Sequence, residues 1–360
     1  MKIVVDDKIP YIREVLARIT DNVVYIKGTD ICKDDVRDAD ALIVRTRTRC
    51  DARLLEGTSV KFVATATIGY DHIDTDYMQR AGIKWMNCPG CNSSSVAQYV
   101  RSVLLLLERD KGVALDETTI GIVGCGHVGS KVARVAEEYG MRVLVCDPPR
   151  MDKGDCHSFE PSELLSGKEH EGDDERCFVD MDVIERECDI ITFHVPLTRT
   201  GVYKTYHIGD EAFFSRLKRC PVIVNTSRGE VIDNHALYDA IIYNKVKDAV
   251  IDTWEHEPDI DLALLDKAWI ATPHIAGYSA DGKVNADNMV IDGLCRHFGI
   301  ENIYHIEAPE LPEDFAYYSD ADNGYLRFYN PLRDSESLKN SPEDFEYFRG
   351  NYPLRREKDV

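Results

Sequence analysis

Apolar residues recur along this chain in short continuous runs, separated by stretches of helical periodicity. Residues 2–5, 41–44, 62–64 and 83–86 read as strands. The runs at 41–44 and 62–64 are continuous, not alternating, which marks strands buried on both faces of a sheet. Residues 9–19, with Pro10 in the first turn, and 74–81 read as helices. This predicts a small flavodoxin-like α/β substrate domain, or lid, over residues 1–94. A long helix starts at Asn92 or Ser93, its stripe formed by Val96, Val100, Val103, Leu104 and Leu107. Strand-like runs then fall at 118–120, 142–146, 190–193, 222–225, 249–252 and 269–271, with helices in the gaps, including one running to about Tyr139 and one over 234–244. The alternation predicts a doubly wound parallel-sheet domain over residues 95–280. A helix over 284–299 is expected to return and complete the first domain.

Two stretches break the pattern. Residues 152–182 are polar and acidic and are expected to form a surface insertion. Residues 300–360 are rich in aromatics, among them Tyr325, Phe328, Tyr329, Phe345, Tyr347 and Phe348. That tail is too short for a strong core of its own, and aromatics favour interfaces. It is therefore expected to be a dimerisation element of a homodimer.

Charge and cysteine usage narrow the class. The 360 residues carry a formal net charge of −21, which repels nucleic-acid backbones and anionic membranes. No run is long enough to span a membrane, and residues 1–5 read as a strand, not a leader. The 11 scattered cysteines fit free thiols in the cytoplasm. Cys88 and Cys91 have half-zinc-site spacing, but no second pair completes it, and no metal is expected.

The most specific motif is Gly121-Ile-Val-Gly-Cys-Gly-His-Val-Gly129, between a strand and a helix, with Asp147 ending the next strand. Gly124 permits the tight turn, Gly126 lets the chain approach a pyrophosphate, and Gly129 allows helix–strand packing. The motif opens a helix whose N-terminus suits the anion, and His127 and Val128 within it count among the cofactor-binding positions. Asp147 can accept both ribose hydroxyls, and its charge disfavours a 2′-phosphate, so NAD is expected over NADP. Arg150 moderates that preference.

Arg228, Glu257 and His274 each follow a strand end of the same domain, where ligands of open parallel sheets bind. The set suits oxidation of a 2-hydroxy acid by hydride transfer from C2. His274 is the candidate general base, Glu257 its orienting acid, and Arg228 a fork for the substrate carboxylate. Glu255 and His256 compete on spacing. Arg45, Arg47 and Arg49 follow a strand; they either anchor an anionic substrate through Arg45 or face solvent, and the pattern leaves both open.

With these residues, and with Val44-Arg-Thr46, Thr65-Ala-Thr67, Cys88-Pro-Gly-Cys-Asn92, Cys146-Asp-Pro-Pro-Arg150 and Thr272-Pro-His-Ile-Ala-Gly-Tyr278, the chain resembles the D-isomer-specific 2-hydroxyacid dehydrogenases over about residues 1–300. The resemblance implies the catalytic roles just given and a phosphorylated 2-hydroxy acid as substrate. It places substrate contacts at Thr46, Thr67 and Tyr278. It places NAD contacts at the glycine motif, Asp147, Val195, Thr226, Ser227, Arg228, Asp252 and Gly277. Thr46 stands where the pattern has Ser, keeping the hydroxyl; Val195 stands where it has Thr, losing one. Two alternatives stay open: a related enzyme acting on 3-phosphoglycerate, and an NAD-sensing corepressor or scaffold.

Overall fold

The computed structural model describes residues 1–153, 178–312 and 324–357. The chain forms two compact units. The first comprises Met1–Ser95, residues 278–312 and Leu354–Glu357; the second comprises Val96–Gly277 and residues 324–353. Most of the acidic insertion, residues 154–177, lies outside the described residues.

In the first unit β1 (Ile3–Asp6), β2 (Val23–Ile26), β3 (Ala41–Val44), β4 (Phe62–Thr65) and β5 (Lys84–Met86) form a parallel sheet in the order β2-β1-β3-β4-β5. This is the flavodoxin-like order. Successive side chains leave opposite faces. Ile3, Val5 and Ile43 enter one core with Val290, Ile291 and Leu294, while Val4, Leu42 and Val44 enter another with Val36, Leu54 and Met78. Cover on both faces explains the unbroken apolar runs. β2 escaped the sequence reading because it is a partly exposed edge strand.

Two helices of this unit differ from expectation. The first runs Arg13–Ile19, so Pro10 precedes it. The preceding segment is held by non-helical bonds: Ile9 N–H donates to Asp6 O, and Tyr11 N–H donates to Asp287. The returning helix runs Ala280–Phe298; Ser279 Oγ caps it by accepting Gly282 N–H at 2.8 Å, which moves its start ahead of 284.

The second unit holds β6 (Thr119–Val123), β7 (Arg142–Cys146), β8 (Ile190–Phe193), β9 (Val222–Asn225), β10 (Asp248–Ile251) and β11 (Ile270–Ala271). They form a parallel sheet in the order β11-β10-β9-β8-β6-β7, with Phe178 bridging to Val145 beyond β7. Strand order therefore reverses at β6, between β7 and β8, the switch point where such sheets bind ligands. Helix Ser93–Lys111 begins where the sequence placed it.

The aromatic tail is not one separate element. Residues 324–353 belong to the second unit, and Leu338 and Phe345 join its core. Tyr329 is buried, and its carbonyl accepts Ser102 Oγ–H at 2.9 Å. Helix Pro331–Asn340 covers the sheet edge, where Ser335 Oγ accepts β11's Ala271 N–H at 3.0 Å. A bare edge strand invites association, so these side chains are used within the chain itself. Among the described residues no helix is long and apolar enough to cross a membrane.

Candidate active site and cofactor cradle

β6 delivers the chain into Gly124, whose φ of +92° lies in the left-handed region. A Cβ there would meet His194 O at 2.6 Å, and one on Gly129 would lie 1.9 Å from Gly124 O. Close packing therefore requires both glycines. Gly126 differs, because a Cβ there would meet nothing within 4 Å. It is exposed and precedes helix His127–Glu138, which has no side-chain cap. The backbone N–H groups at His127 and Val128 and the positive helix end suit an anion. Packing within the protein does not explain glycine at 126, and the open space there fits a pyrophosphate passing close to the backbone.

Asp147 accepts Cys125 N–H at 2.8 Å through Oδ2 and Arg150 N–H at 3.2 Å through Oδ1. Each oxygen keeps acceptor capacity for a ribose hydroxyl. Arg150 donates to Cys125 O at 2.8 Å and lies 5.2 Å from the Phe178 ring, so its guanidinium is tied to the loop. Val195, after β8, packs against Gly124. Neighbouring His194 belongs to no motif that marks it in the sequence. Its Nδ1 meets Thr226 Oγ1 at 3.3 Å and its Nε2 meets Thr192 Oγ1 at 2.9 Å. Burial pushes its imidazole down to about 3, so it holds Thr226 as a neutral ring.

Arg228 is presented by a locked turn. Asn225 Oδ1 accepts Ser227 N–H at 3.1 Å and Ser227 Oγ–H at 2.8 Å, and Asn225 Nδ2 donates to Arg228 O at 2.9 Å. Gly229 follows because a Cβ there would fall 1.9 Å from Trp254 O. The Arg228 side chain is half-buried and donates to Ser227 O at 2.7 Å.

His274 and Glu257 meet directly, with Nδ1 2.8 Å from Oε2 and 3.1 Å from Oε1. Oε1 also accepts Trp254 N–H at 2.9 Å, and Arg349 lies 3.6 Å from Oε2. Burial raises the Glu257 carboxyl; the His274 charge, its hydrogen bond, the Trp254 N–H and Arg349 outweigh that and leave it below its ordinary value. Since Nδ1 faces a carboxylate, Nε2 is the nitrogen left for proton transfer. Glu255 is removed as a competitor: it bonds His207 Nε2 at 2.7 Å and Asn234 N–H at 2.9 Å.

His274 adopts a left-handed φ of +56°. Asp252 supports that conformation. Its carbonyl accepts His274 N–H at 2.8 Å; its carboxylate accepts Thr272 Oγ–H at 2.7 Å, Ile275 N–H at 2.7 Å and Ala276 N–H at 3.0 Å. Asp252 thus shapes the turn running from His274 to Gly277.

The first unit carries the remaining candidates. Thr67 Oγ donates to Gly69 O and meets Thr65 Oγ1 at 2.7 Å. Thr46 is exposed in the turn after β3. Arg45 donates to Lys8 O at 3.2 Å, whereas Arg49 is exposed, 3.6 Å from Asp51. Tyr278 lies beneath Lys283, with Nζ 5.3 Å from the ring centroid. The Cys88 and Cys91 thiols are buried, and burial pushes both up, Cys91 to about 12.

The family model for the D-isomer specific 2-hydroxyacid dehydrogenase NAD binding domain matches residues 106–276. The erythronate-4-phosphate dehydrogenase of Bacteroides thetaiotaomicron is 52% identical, over 99% of this chain and 97% of its own. The enzyme of that name from Porphyromonas gingivalis is 42% identical, over 99% and 94%. A D-lactate dehydrogenase from Aquifex aeolicus, solved with NAD and lactic acid, shares the fold, with a TM-score of 0.66 at 24% identity over 83% of this chain and 96% of its own. The chain belongs to the D-isomer specific 2-hydroxyacid dehydrogenase family. It is an NAD-dependent oxidoreductase acting on a CH–OH group.

Proposed function

We propose that this protein oxidises 4-phospho-D-erythronate to (R)-3-hydroxy-2-oxo-4-phosphooxybutanoate, a step in vitamin B6 biosynthesis. The carrying observation is the His274–Glu257 pair, set beyond a strand end of the NAD-binding fold. Identity of 52% along nearly the whole length of an enzyme named for erythronate 4-phosphate supports the substrate. NAD, when bound, supplies the acceptor for the hydride from C2. His274 Nε2 takes the C2 hydroxyl proton, and Glu257 holds the Nδ1 proton and balances the imidazolium. Arg228 binds the carboxylate and steadies the developing carbonyl oxygen. Thr46, Thr67, Tyr278 and Arg45 contact the substrate. Gly124, Gly126, His127, Val128, Gly129, Asp147, Val195, Thr226, Ser227, Asp252 and Gly277 form the cofactor cradle.

The test is a panel of phosphorylated 2-hydroxy acids, including 3-phosphoglycerate, with NAD and with NADP. Erythronate 4-phosphate with NAD should give the highest kcat/KM, and His274→Ala should lose at least about 100-fold of it. A better rate on 3-phosphoglycerate would replace the substrate; an unchanged His274→Ala rate would replace the base. Cytoplasmic residence belongs to the same proposal, supported by free thiols throughout the described residues. So does a homodimer, which sedimentation at several concentrations would check.

A further inference from the structure

Helix Ala280–Phe298 carries charges that the chemistry above leaves unused. Lys283 and Asp287 are one turn apart and so share a face. Asp287 is 1% exposed, and its Oδ2 accepts the Tyr11 N–H at 3.2 Å. Lys283 is half-buried, with its ammonium over the Tyr278 ring. Neither side chain forms an ion pair among the described residues. The Arg45 charge acts on both, disfavouring the Lys283 ammonium and favouring the Asp287 carboxylate.

Burial weakens the internal compensation. It pushes Lys283 down, and it pushes Asp287 up to about 7 against the pull of Tyr11 N–H, Arg45 and Lys283. Among the described residues Tyr11, Cys88 and Cys91 also feel Asp287, and burial raises each of them, so they stay neutral at pH 7. The Lys283 and Arg45 charges therefore act on one another and on the Asp287 carboxyl, which is only partly ionised at neutral pH. In a chain of net charge −21, such a concentration of positive charge suits an incoming anion.

We propose that Lys283 and Arg45 seat the phosphate of the substrate, and that Asp287 is their counter-charge in the free protein, taking up a proton when the phosphate binds. This rests on the phosphorylated-acid reading above. Arg45 was a candidate from the sequence; Lys283 and Asp287 are new. The ionised Asp287 carboxylate offsets the cations when no anion is present. A phosphate dianion replaces it, and a proton from solvent neutralises the carboxyl, so no third negative charge competes for the cations.

The experiment compares kcat/KM for erythronate 4-phosphate and for unphosphorylated erythronate, in the wild type and in Lys283→Met, Lys283→Arg and Asp287→Asn. Lys283→Met should lower the ratio of the two by about 30-fold, and Lys283→Arg should keep most of it. Inhibition by inorganic phosphate should weaken in parallel. In the wild type KM for the phosphorylated acid should climb above pH 7, approaching about tenfold per pH unit. Asp287→Asn should flatten that climb, which a merely structural role would not do. A wild type inactive on every phosphorylated 2-hydroxy acid overturns the substrate reading and this inference together. An active wild type whose phosphate preference survives Lys283→Met overturns the seat alone. Parallel KM slopes in wild type and Asp287→Asn overturn the counter-charge.

Discussion

Replacing Glu257 with Gln keeps the shape of the side chain and removes its charge. The carboxylate lies 2.8 Å from His274 Nδ1. At an effective dielectric of about 20, that separation gives roughly 6 kcal/mol of attraction to an imidazolium before desolvation. Much of this is offset because the pair is largely buried. A hydrogen bond to a charged group is worth roughly 1.5–3 kcal/mol net. If that difference appears in the transition state, kcat falls by about 10- to 150-fold. The Gln amide also has to keep an oxygen toward Trp254 N–H and turn its NH₂ toward Nδ1, which favours the wrong tautomer of the base. Steady-state and single-turnover rates of NADH formation across pH would measure the loss. A variant within twofold of wild type would refute the acid-backed imidazole.

Other outcomes follow from the same geometry. Gly126→Ala should leave urea stability within about 0.5 kcal/mol, because the Cβ meets open space, yet weaken NAD binding at least about tenfold. Gly129→Ala should destabilise the fold by about 3 kcal/mol or more, because the turn must move to admit the Cβ. Asp147→Ala should raise KM for NAD and narrow the preference over NADP, read from paired titrations. Glu257 gives a pH signature in stability. A carboxyl depressed by folding contributes stability that is present above its unfolded value, near about 4.3, and lost as pH falls through the folded value. The stability gap between wild type and Glu257→Gln should hold at neutral pH and close below about pH 4; chemical denaturation along that range would check it.

Much of the fold was legible because local rules and tertiary packing agree. Continuous apolar strands required cover on both faces, and helix Ala280–Phe298 supplies part of that cover. Local pattern and structure part where a segment's structure depends on distant partners. Residues 9–12 look helical by periodicity, but Asp287 holds Tyr11 N–H across 276 positions of chain. Tyr329 and Phe345 looked like interface aromatics because nothing local shows that they turn inward to the protein's own core.

The sequence by itself determined the strand–glycine–helix–acid order, the parallel α/β class and the residue types able to move a proton and a hydride. Those features depend on backbone conformation and on side-chain chemistry, which are local. Only the tertiary structure removed the acid competing with Glu257 for His274. In Trp254-Glu-His-Glu257 spacing alone cannot choose, but the chain turns through His256 at φ +61°, sending Glu255 to His207 and Glu257 to His274. It likewise decided that Arg45 acts on Lys283 and Asp287, which belong to a helix far along the chain. Such groupings depend on through-space distance, and chain separation does not encode it.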